Sequence, residues 1–242
     1  EEREKLILCP LSKTATGSFA AVMAMAYECY RNIDEEYASR CLFSAETAWD
    51  FLISGNGELI TGNPDGIITG AYENNSCINE TYWAAAQLYK ATENKKYREV
   101  FEKIAAENVL FGFGWENVGS FGNLAYLSID ETLVDPVIRE KVQNEIIGHA
   151  EWCISVADSG GYAVATENYC WGSNSQILGC GMKLMMAYEL TSDRKYYDYA
   201  SEQLAYLLGK NPMDICYVTG YGANFPSDPH HRPSIAKETA VR

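Results

Sequence analysis

Positive charge is scarce in this chain: 19 Lys and Arg stand against 33 Asp and Glu, giving a formal net charge of −14 over 242 residues. The basic pairs Lys95-Lys96 and Arg194-Lys195 sit beside acidic residues, so no positive face is offered to a phosphate backbone or an anionic lipid surface. Nucleic acid and membrane partners are excluded on that ground, whereas a neutral polysaccharide would be indifferent to the charge. Long apolar runs are missing too; none approaches the ~20 residues of a bilayer crossing. The opening EEREKLILCP lacks the basic-then-apolar layout of a signal peptide, so the expectation is either a removed leader or an internal segment.

The eight cysteines, Cys9, Cys29, Cys41, Cys77, Cys153, Cys170, Cys180 and Cys216, include no CxxC spacing. Cys29, Cys41, Cys153 and Cys180 fall in helix-like stretches and are expected as small buried thiols rather than a disulfide framework or metal site. They leave the compartment unread. Period-two alternation is nearly absent, which argues against a sheet protein. What the chain does have is apolar content, 47% of its residues, enough for one substantial core and a single domain over residues 1–242.

The apolar spacing is helical almost throughout. Thr14 or Thr16 could cap a helix through FAAVMAMAYECY, and Asp34 caps the next, EEYASRCLFSAETAWDFL, which stops at Ser54-Gly55-Asn56-Gly57. Further helices are expected at 79–91, 95–106, 119–127, 136–156, 174–190 and 195–208, making eight. A weak repeat pairs them: AYECYRNIDEEY at Ala26, LYKATENKKY at Leu88 and AYELTSDRKY at Ala187 each join a helix end to a polar turn and a Tyr opening the next helix. Such hairpins cannot bury both faces alone and must stack into a solenoid or close into a ring. The segments 65–77, 111–119, 160–173 and 211–234 are rich in Gly, Asn, Tyr and Trp. Long loops on a helical scaffold are where function usually sits, and exposed aromatics suit the apolar faces of sugar rings.

The densest polar cluster is Pro229-His230-His231-Arg232. In extended backbone His230 and Arg232 project the same way, and the pair can bind sugar hydroxyls. Two other readings stay open at this point: a surface loop, and a metal site using His230 and His231. Adjacent histidines point apart, however, and no Cys or third His lies nearby. Asp65, Asp130 and Asp158 are read as solvated or capping residues.

The stretch Tyr217-Val218-Thr219-Gly220-Tyr221-Gly222, with Asn224 and then Pro229-His230-x-Arg232, resembles the histidine signature of glycoside hydrolase family 9. Tyr206-Leu207-Leu208-Gly209-Lys210-Asn211-Pro212 is similar to that family's YLLGxNP approach, and Cys216 stands where Ser, Thr or Val is usual. The resemblance covers the whole chain. Ser12 to Tyr27 is similar to the STxATADFAAVxAxA segment, with Gly17-Ser18 in place of Ala-Asp. Glu80 to Thr92 resembles the ExxWAAAELYRAT helix, and Trp115 with Asn117-Val118 the FxWxNV turn. Tyr169-Cys170-Trp171-Gly172-Ser173-Asn174 with Gly181-Met182 is similar to the YxWGSN and GM elements of the bacterial branch that carries an immunoglobulin-like domain.

This resemblance implies an all-α fold, the (α/α)6 barrel of six helical hairpins, here incomplete with about eight helices. It implies an inverting hydrolase of β-1,4-glucans, secreted, with cello-oligosaccharide or β-glucan as partner. His230 and Arg232 carry over as the groups that fix the sugar at the cut, with Tyr72, Tyr169, Trp171 and His231 as further substrate contacts. Trp171 could instead be a core aromatic. The family's DAGD and NE segments, which supply the base and the acid, find no match, so both carboxylates are expected outside this chain; Glu238 only superficially echoes the acid. The Tyr72 loop often holds structural calcium in the family, and Asn75, the Ser76 backbone oxygen, Asn79 and Glu80 are the candidate ligands, with a metal-free hydrogen-bonded loop as the alternative. No organic cofactor is implied. Rival readings are an inactive fragment or oligosaccharide-binding toroid, self-associating through open helical faces, and, within the class, an exo-acting cellobiohydrolase, β-glucosidase or glucosaminidase.

Overall fold

A computed structural model of the chain describes residues 9–59, 62–68, 70 and 72–227. Among them lie eight α-helices: α1 (Lys13–Tyr30), α2 (Glu35–Ile53), α3 (Ile78–Thr92), α4 (Lys95–Glu107), α5 (Gly119–Leu127), α6 (Pro136–Asp158), α7 (Ser173–Thr191) and α8 (Arg194–Leu207). A 3-10 turn at Glu131–Leu133 precedes α6. No strand occurs among the described residues, where a single parallel bridge joins Ser12 and Glu58. The expected all-α class holds, and helix ends fall within a residue or two of the periodicity except at α1.

There the cap is Ser12, whose Oγ accepts from the Ala15 N–H at 3.3 Å. Thr14 and Thr16 are inside the first turn, where Thr16 Oγ1 donates back to the Ser12 carbonyl at 2.7 Å. A threonine already in helical backbone cannot cap, which moves the start upstream. Asp34 does cap α2, accepting from Tyr37 N–H at 2.9 Å. The repeat noted at Leu88 and Ala187 has a shared physical basis. Glu93 and Ser192 end their helices in the left-handed region (φ 56° and 57°). Asn94 and Asp193 then cap α4 and α8 through Lys96 N–H and Lys195 N–H.

The chain divides into two compact units, Leu8–Glu145 and Ile146–Arg242. In the first, α1 packs on α2 and α3, and α3 packs on α4 and α5. Its core is aromatic: Tyr82 stacks on Phe101 with ring centroids 4.2 Å apart, Phe101 on Tyr126 at 4.3 Å, and Trp49 meets Tyr97 edge-on at 5.2 Å. Burying each such ring contributes roughly 1.5–3 kcal/mol. The phenols find partners, with Tyr82 donating to Asn123 Oδ1 at 2.6 Å, Tyr97 to Glu46 Oε1 at 3.0 Å and Tyr126 to Glu102 Oε1 at 2.7 Å, as buried hydroxyls must.

In the second unit α7 packs on α8, and Val164, Ile177, Tyr206 and Leu207 form a core against which Tyr217 rests. Of the cysteines, Cys41, Cys153, Cys180 and Cys216 are buried, and all eight are free thiols. Cys29 corrects the expectation: it lies on the solvent side of α1 near its C-terminal end and is exposed, because helix membership alone does not say which face a residue occupies.

Candidate substrate-binding loops

Two loops lead into helix starts and carry the expected site residues. In the first unit, the segment 72–80 enters α3. Tyr72 is exposed and meets exposed Trp115 edge-on at 5.3 Å, forming a two-ring ledge. Trp115 is held by the turn at 112–120. Gly114 N–H donates to the Asn117 carbonyl at 3.0 Å, Ser120 N–H donates to the Gly112 carbonyl at 3.2 Å, and Gly112 N–H donates to Ser120 Oγ at 3.0 Å. Gly112 has φ 119°, and a Cβ there would sit 2.4 Å from the Asn117 carbonyl oxygen, so only glycine closes this turn.

Glu80 is buried on the first turn of α3. One carboxylate oxygen receives a long 3.5 Å contact from Asn74 Nδ2; the other, Oε2, is buried without a partner, as is Asn79 Oδ1. Asn79 Nδ2 donates to Asn117 Oδ1 at 3.3 Å. Burial pushes the Glu80 carboxyl up from its ordinary range, the nearby Glu116 charge adds to this, and a backbone hydrogen bond opposes it. α1 passes so close that a Cβ on Gly17 would lie 2.6 Å from Glu80 Cβ. Glycine at position 17 leaves room for this approach.

Orphaned oxygens of a carboxyl and an amide, on residues consecutive in sequence, are the donor chemistry of a hard cation such as calcium. Asn79 and Glu80 each offer an oxygen of that kind. Asn75 and Ser76 are exposed; Ser76 N–H donates to Asn74 Oδ1 at 3.1 Å and its Oγ accepts from Ile78 N–H at 3.2 Å. Among the described residues no three His, Cys, Asp or Glu side chains gather in one place, so any ion here would depend on amide and backbone oxygens. Trp115 and Asn117 had no assigned role in the sequence, and the signal that could have found them is the FxWxNV turn; Asn74 lies in the Tyr72 loop, where Asn75 and Ser76 were singled out instead.

In the second unit, the loop between α6 and α7 presents Tyr169 and Trp171, 60% and 91% exposed. Within this chain Trp171 does not pack into the core of its unit. Gly172, in the left-handed region at φ 80°, turns the chain into α7. The loop's base is tied to α8 by fully buried Gln203, which accepts from Ala165 N–H at 2.8 Å and donates to the Ala163 carbonyl at 2.8 Å and the Tyr199 carbonyl at 2.9 Å. Tyr169 approaches Tyr206, and Tyr206 approaches Tyr217, each pair 6.4 Å apart.

Past α8, buried Asn211 organises the signature segment. Its amide donates to the carbonyls of Tyr206 at 2.8 Å and Ile215 at 2.7 Å, and its oxygen accepts from Met213 and Ile215. Cys216 N–H donates to the Asn224 carbonyl at 2.8 Å, and the Cys216 side chain is 3.1 Å from where a Cβ on Gly222 would lie. A small buried side chain is what position 216 needs. His230, His231 and Arg232 lie outside the described residues, as does Glu238. Asp130 caps the 3-10 turn through Thr132, which lowers its pKa. Asp65 is exposed, and Asp158 accepts from the Tyr199 hydroxyl.

Residues 4–241 match the sequence model of Glycosyl hydrolase family 9. A cellodextrinase of Butyrivibrio fibrisolvens is 33% identical over 98% of this chain and 46% of its own length. Endoglucanase D of Acetivibrio thermocellus is 28% identical over 97% of the chain and 38% of its own length. The solved structure of AaCel9A in complex with a cellobiose-like isofagomine superposes with a TM-score of 0.89 at 30% identity, covering 98% of this chain and 45% of that one. The solved relatives are (α/α)6 barrels, and the chain spans less than half the length of these proteins.

Proposed function

Because the chain belongs to Glycosyl hydrolase family 9, we propose that it is part of an enzyme hydrolysing β-1,4-glucosidic bonds in cellulose or related β-glucans. The observation that carries the reading is the 91% exposure of Trp171. A large aromatic is held open at a helix start inside a family motif, where a sugar ring can stack on it. Tyr169 beside it, and Tyr72 with Trp115 in the other unit, serve the same purpose. His230 and Arg232, with His231, bind hydroxyls of the sugars flanking the cut and hold the bond in register, which lowers the barrier by orientation. Bond breaking itself is acid–base chemistry with inversion. A neutral carboxylic acid protonates the leaving oxygen while a carboxylate activates water on the opposite face.

The test is turnover of carboxymethylcellulose and short cello-oligosaccharides by the polypeptide, with and without His230→Ala. Hydrolysis that the substitution abolishes carries the proposal; binding without turnover carries a second reading, an oligosaccharide-binding chain. One observation favours that second reading. Glu80, the described carboxyl whose pKa is raised, is buried at 2% exposure rather than open to solvent as a proton donor to a glycosidic oxygen would be. Chain-end versus internal attack divides the relatives themselves, since their names include a cellodextrinase, a cellobiosidase and endoglucanases; product profiles on intact and short substrates would place this chain among them.

Calcium is part of the same reading. Asn79 and Glu80 would hold it with Asn75 and the Ser76 backbone oxygen, and its charge would fix the loop to α3 rather than act on the sugar. A rise in thermal midpoint on adding calcium, absent in Glu80→Gln, supports this; no change in the wild type overturns it. Among the described residues no helix is long and apolar enough to cross a membrane. Extracellular action is the placement we adopt, since polymeric glucan does not enter cells.

A further inference from the structure

The turn after α2 carries the one Asn-Gly step in the chain, Asn56-Gly57. An asparagine can be attacked by its own backbone, when the nitrogen of the next residue adds to the side-chain amide carbon. A side chain on that next residue obstructs the approach, and glycine has none. Both residues are exposed, and among the described residues no hydrogen bond engages the Gly57 N–H. The Asn-Ser steps are guarded by contrast. After Asn75, the Ser76 N–H donates to Asn74 Oδ1 at 3.1 Å; after Asn174, the Ser175 N–H donates to the Gly172 carbonyl at 3.0 Å. The same turn is a clamp on α1. Lys13 N–H, one of the donors a helix start leaves without an intrahelical partner, donates to the Glu58 carbonyl at 3.1 Å, within the parallel bridge of Ser12 and Glu58. Gly57 abuts the Phe51 ring, where a Cβ would fall 2.9 Å from two ring carbons. The register of residues 57–58 against α1 is therefore set by close contacts on both sides.

From this open Asn-Gly step set directly before the clamp, we infer that Asn56 is a self-modification site whose conversion to isoaspartate releases the start of α1. The Gly57 nitrogen bonds to Asn56 Cγ and the Cγ–Nδ2 bond breaks. The Gly57 proton leaves with the amide nitrogen as ammonia, and a cyclic succinimide remains. Water then opens the ring, its hydroxyl going to a ring carbonyl carbon and its hydrogen to the ring nitrogen. Opening at Cγ gives aspartate. Opening at the main-chain carbonyl of Asn56 gives isoaspartate, in which the chain runs through Cβ and Cγ and the old carbonyl becomes a free carboxylate. Ammonia leaves, water enters, and no oxidant or further reactant is needed. The isoaspartyl product has one extra methylene in the main chain immediately before Gly57. Gly57 and Glu58 then no longer reach the Phe51 ring and the Lys13 N–H together, and α1 loses the acceptor at its start.

The experiment ages the folded chain in mildly alkaline buffer, maps its peptides by mass and reads isoaspartate with protein isoaspartyl methyltransferase. The expected result is a peptide in which Asn56 has exchanged its amide for a carboxylate, with isoaspartate the main product, while Asn75 and Asn174 remain amides. The thermal midpoint of the aged chain should fall by roughly 2–4 °C. Asn56→Gln should abolish both the modification and the fall. Freshly prepared Asn56→Asp, which carries the charge without the extra methylene, should keep the midpoint of the unaged chain. Recovery of Asn56 as an unmodified amide, or conversion of Asn75 or Asn174 at the same rate, overturns the site. Conversion without a fall in midpoint, or an equal fall in fresh Asn56→Asp, overturns the release of α1. Because the peptide map is read on the unsubstituted chain, poor folding of a variant does not shield the inference.

Discussion

The loop entering α3 and the loop entering α7 both present open aromatic rings, yet they are built on opposite foundations. The first rests on a buried carboxyl with an unpartnered oxygen, pressed from below by a glycine of α1. The second rests on the side-chain amide of Gln203, whose donors and acceptor are all satisfied by backbone groups. An uncompensated buried charge costs several kcal/mol and invites a proton or a cation, whereas a satisfied amide only holds its place. The first foundation should respond to pH and ions and the second should not.

The largest effect is expected from filling the contact under the first loop. Gly17→Val drives a side chain into the Glu80 backbone and Cβ, and should cost about 3 kcal/mol in denaturant unfolding. An effect under ~0.5 kcal/mol would mean that α1 and α3 can separate freely, and would remove the pressed-carboxyl half of the comparison. Next comes Gln203→Leu, which strands the Ala165 N–H and the Ala163 carbonyl and should cost about 2 kcal/mol. Its loss should be independent of pH between 5 and 8, as no ionisable group is removed.

A smaller and more diagnostic effect comes from Glu80 itself. Its folded pKa lies above the ordinary 4.5, so the folded state holds the proton more tightly than the unfolded chain. That contribution is fully present below pH 4.5 and is lost as pH rises through the folded value. Glu80→Gln should therefore flatten the fall in stability that sets in above pH 4.5. Calcium, which favours the ionised carboxyl, should flatten it in the unsubstituted chain as well. A wild-type profile already flat without calcium would show that Glu80 is not held as described.

These foundations account for what was legible in the sequence. Helix positions were readable because apolar period and capping residues act locally: Asp34, Asn94 and Asp193 each bond an amide two or three residues on. The α1 start was missed because Ser12, Thr14 and Thr16 are all competent caps, and only the backbone decides which is outside the helix. The aromatic positions Tyr72 and Trp171 came from resemblance, and their openness needed coordinates. The Gly17–Glu80 contact and the Gln203 anchor join residues 63 and 38 positions apart, a distance at which periodicity carries no information. Cys29 and Cys41 both fall in helix-like stretches, but only the second faces the core.

The smallest expected effect on stability is also the one that separates foundation from function. Trp171 is 91% exposed, so Trp171→Ala removes almost no buried surface, and the unfolding free energy should change by less than ~0.5 kcal/mol. The same substitution deletes a ring face on which a glucosyl unit can stack, and a loss of roughly 1–2 kcal/mol in cello-oligosaccharide binding, about 5- to 30-fold in Kd, is expected. Tyr72→Ala should weaken binding less, since Trp115 remains beside it at 5.3 Å in the native pair to offer a second ring. Titration calorimetry with a cello-oligosaccharide on both variants decides the matter. If Trp171→Ala instead destabilises the fold and leaves binding alone, the α7 loop is a structural cap, and the open aromatics of the two loops do not share a purpose.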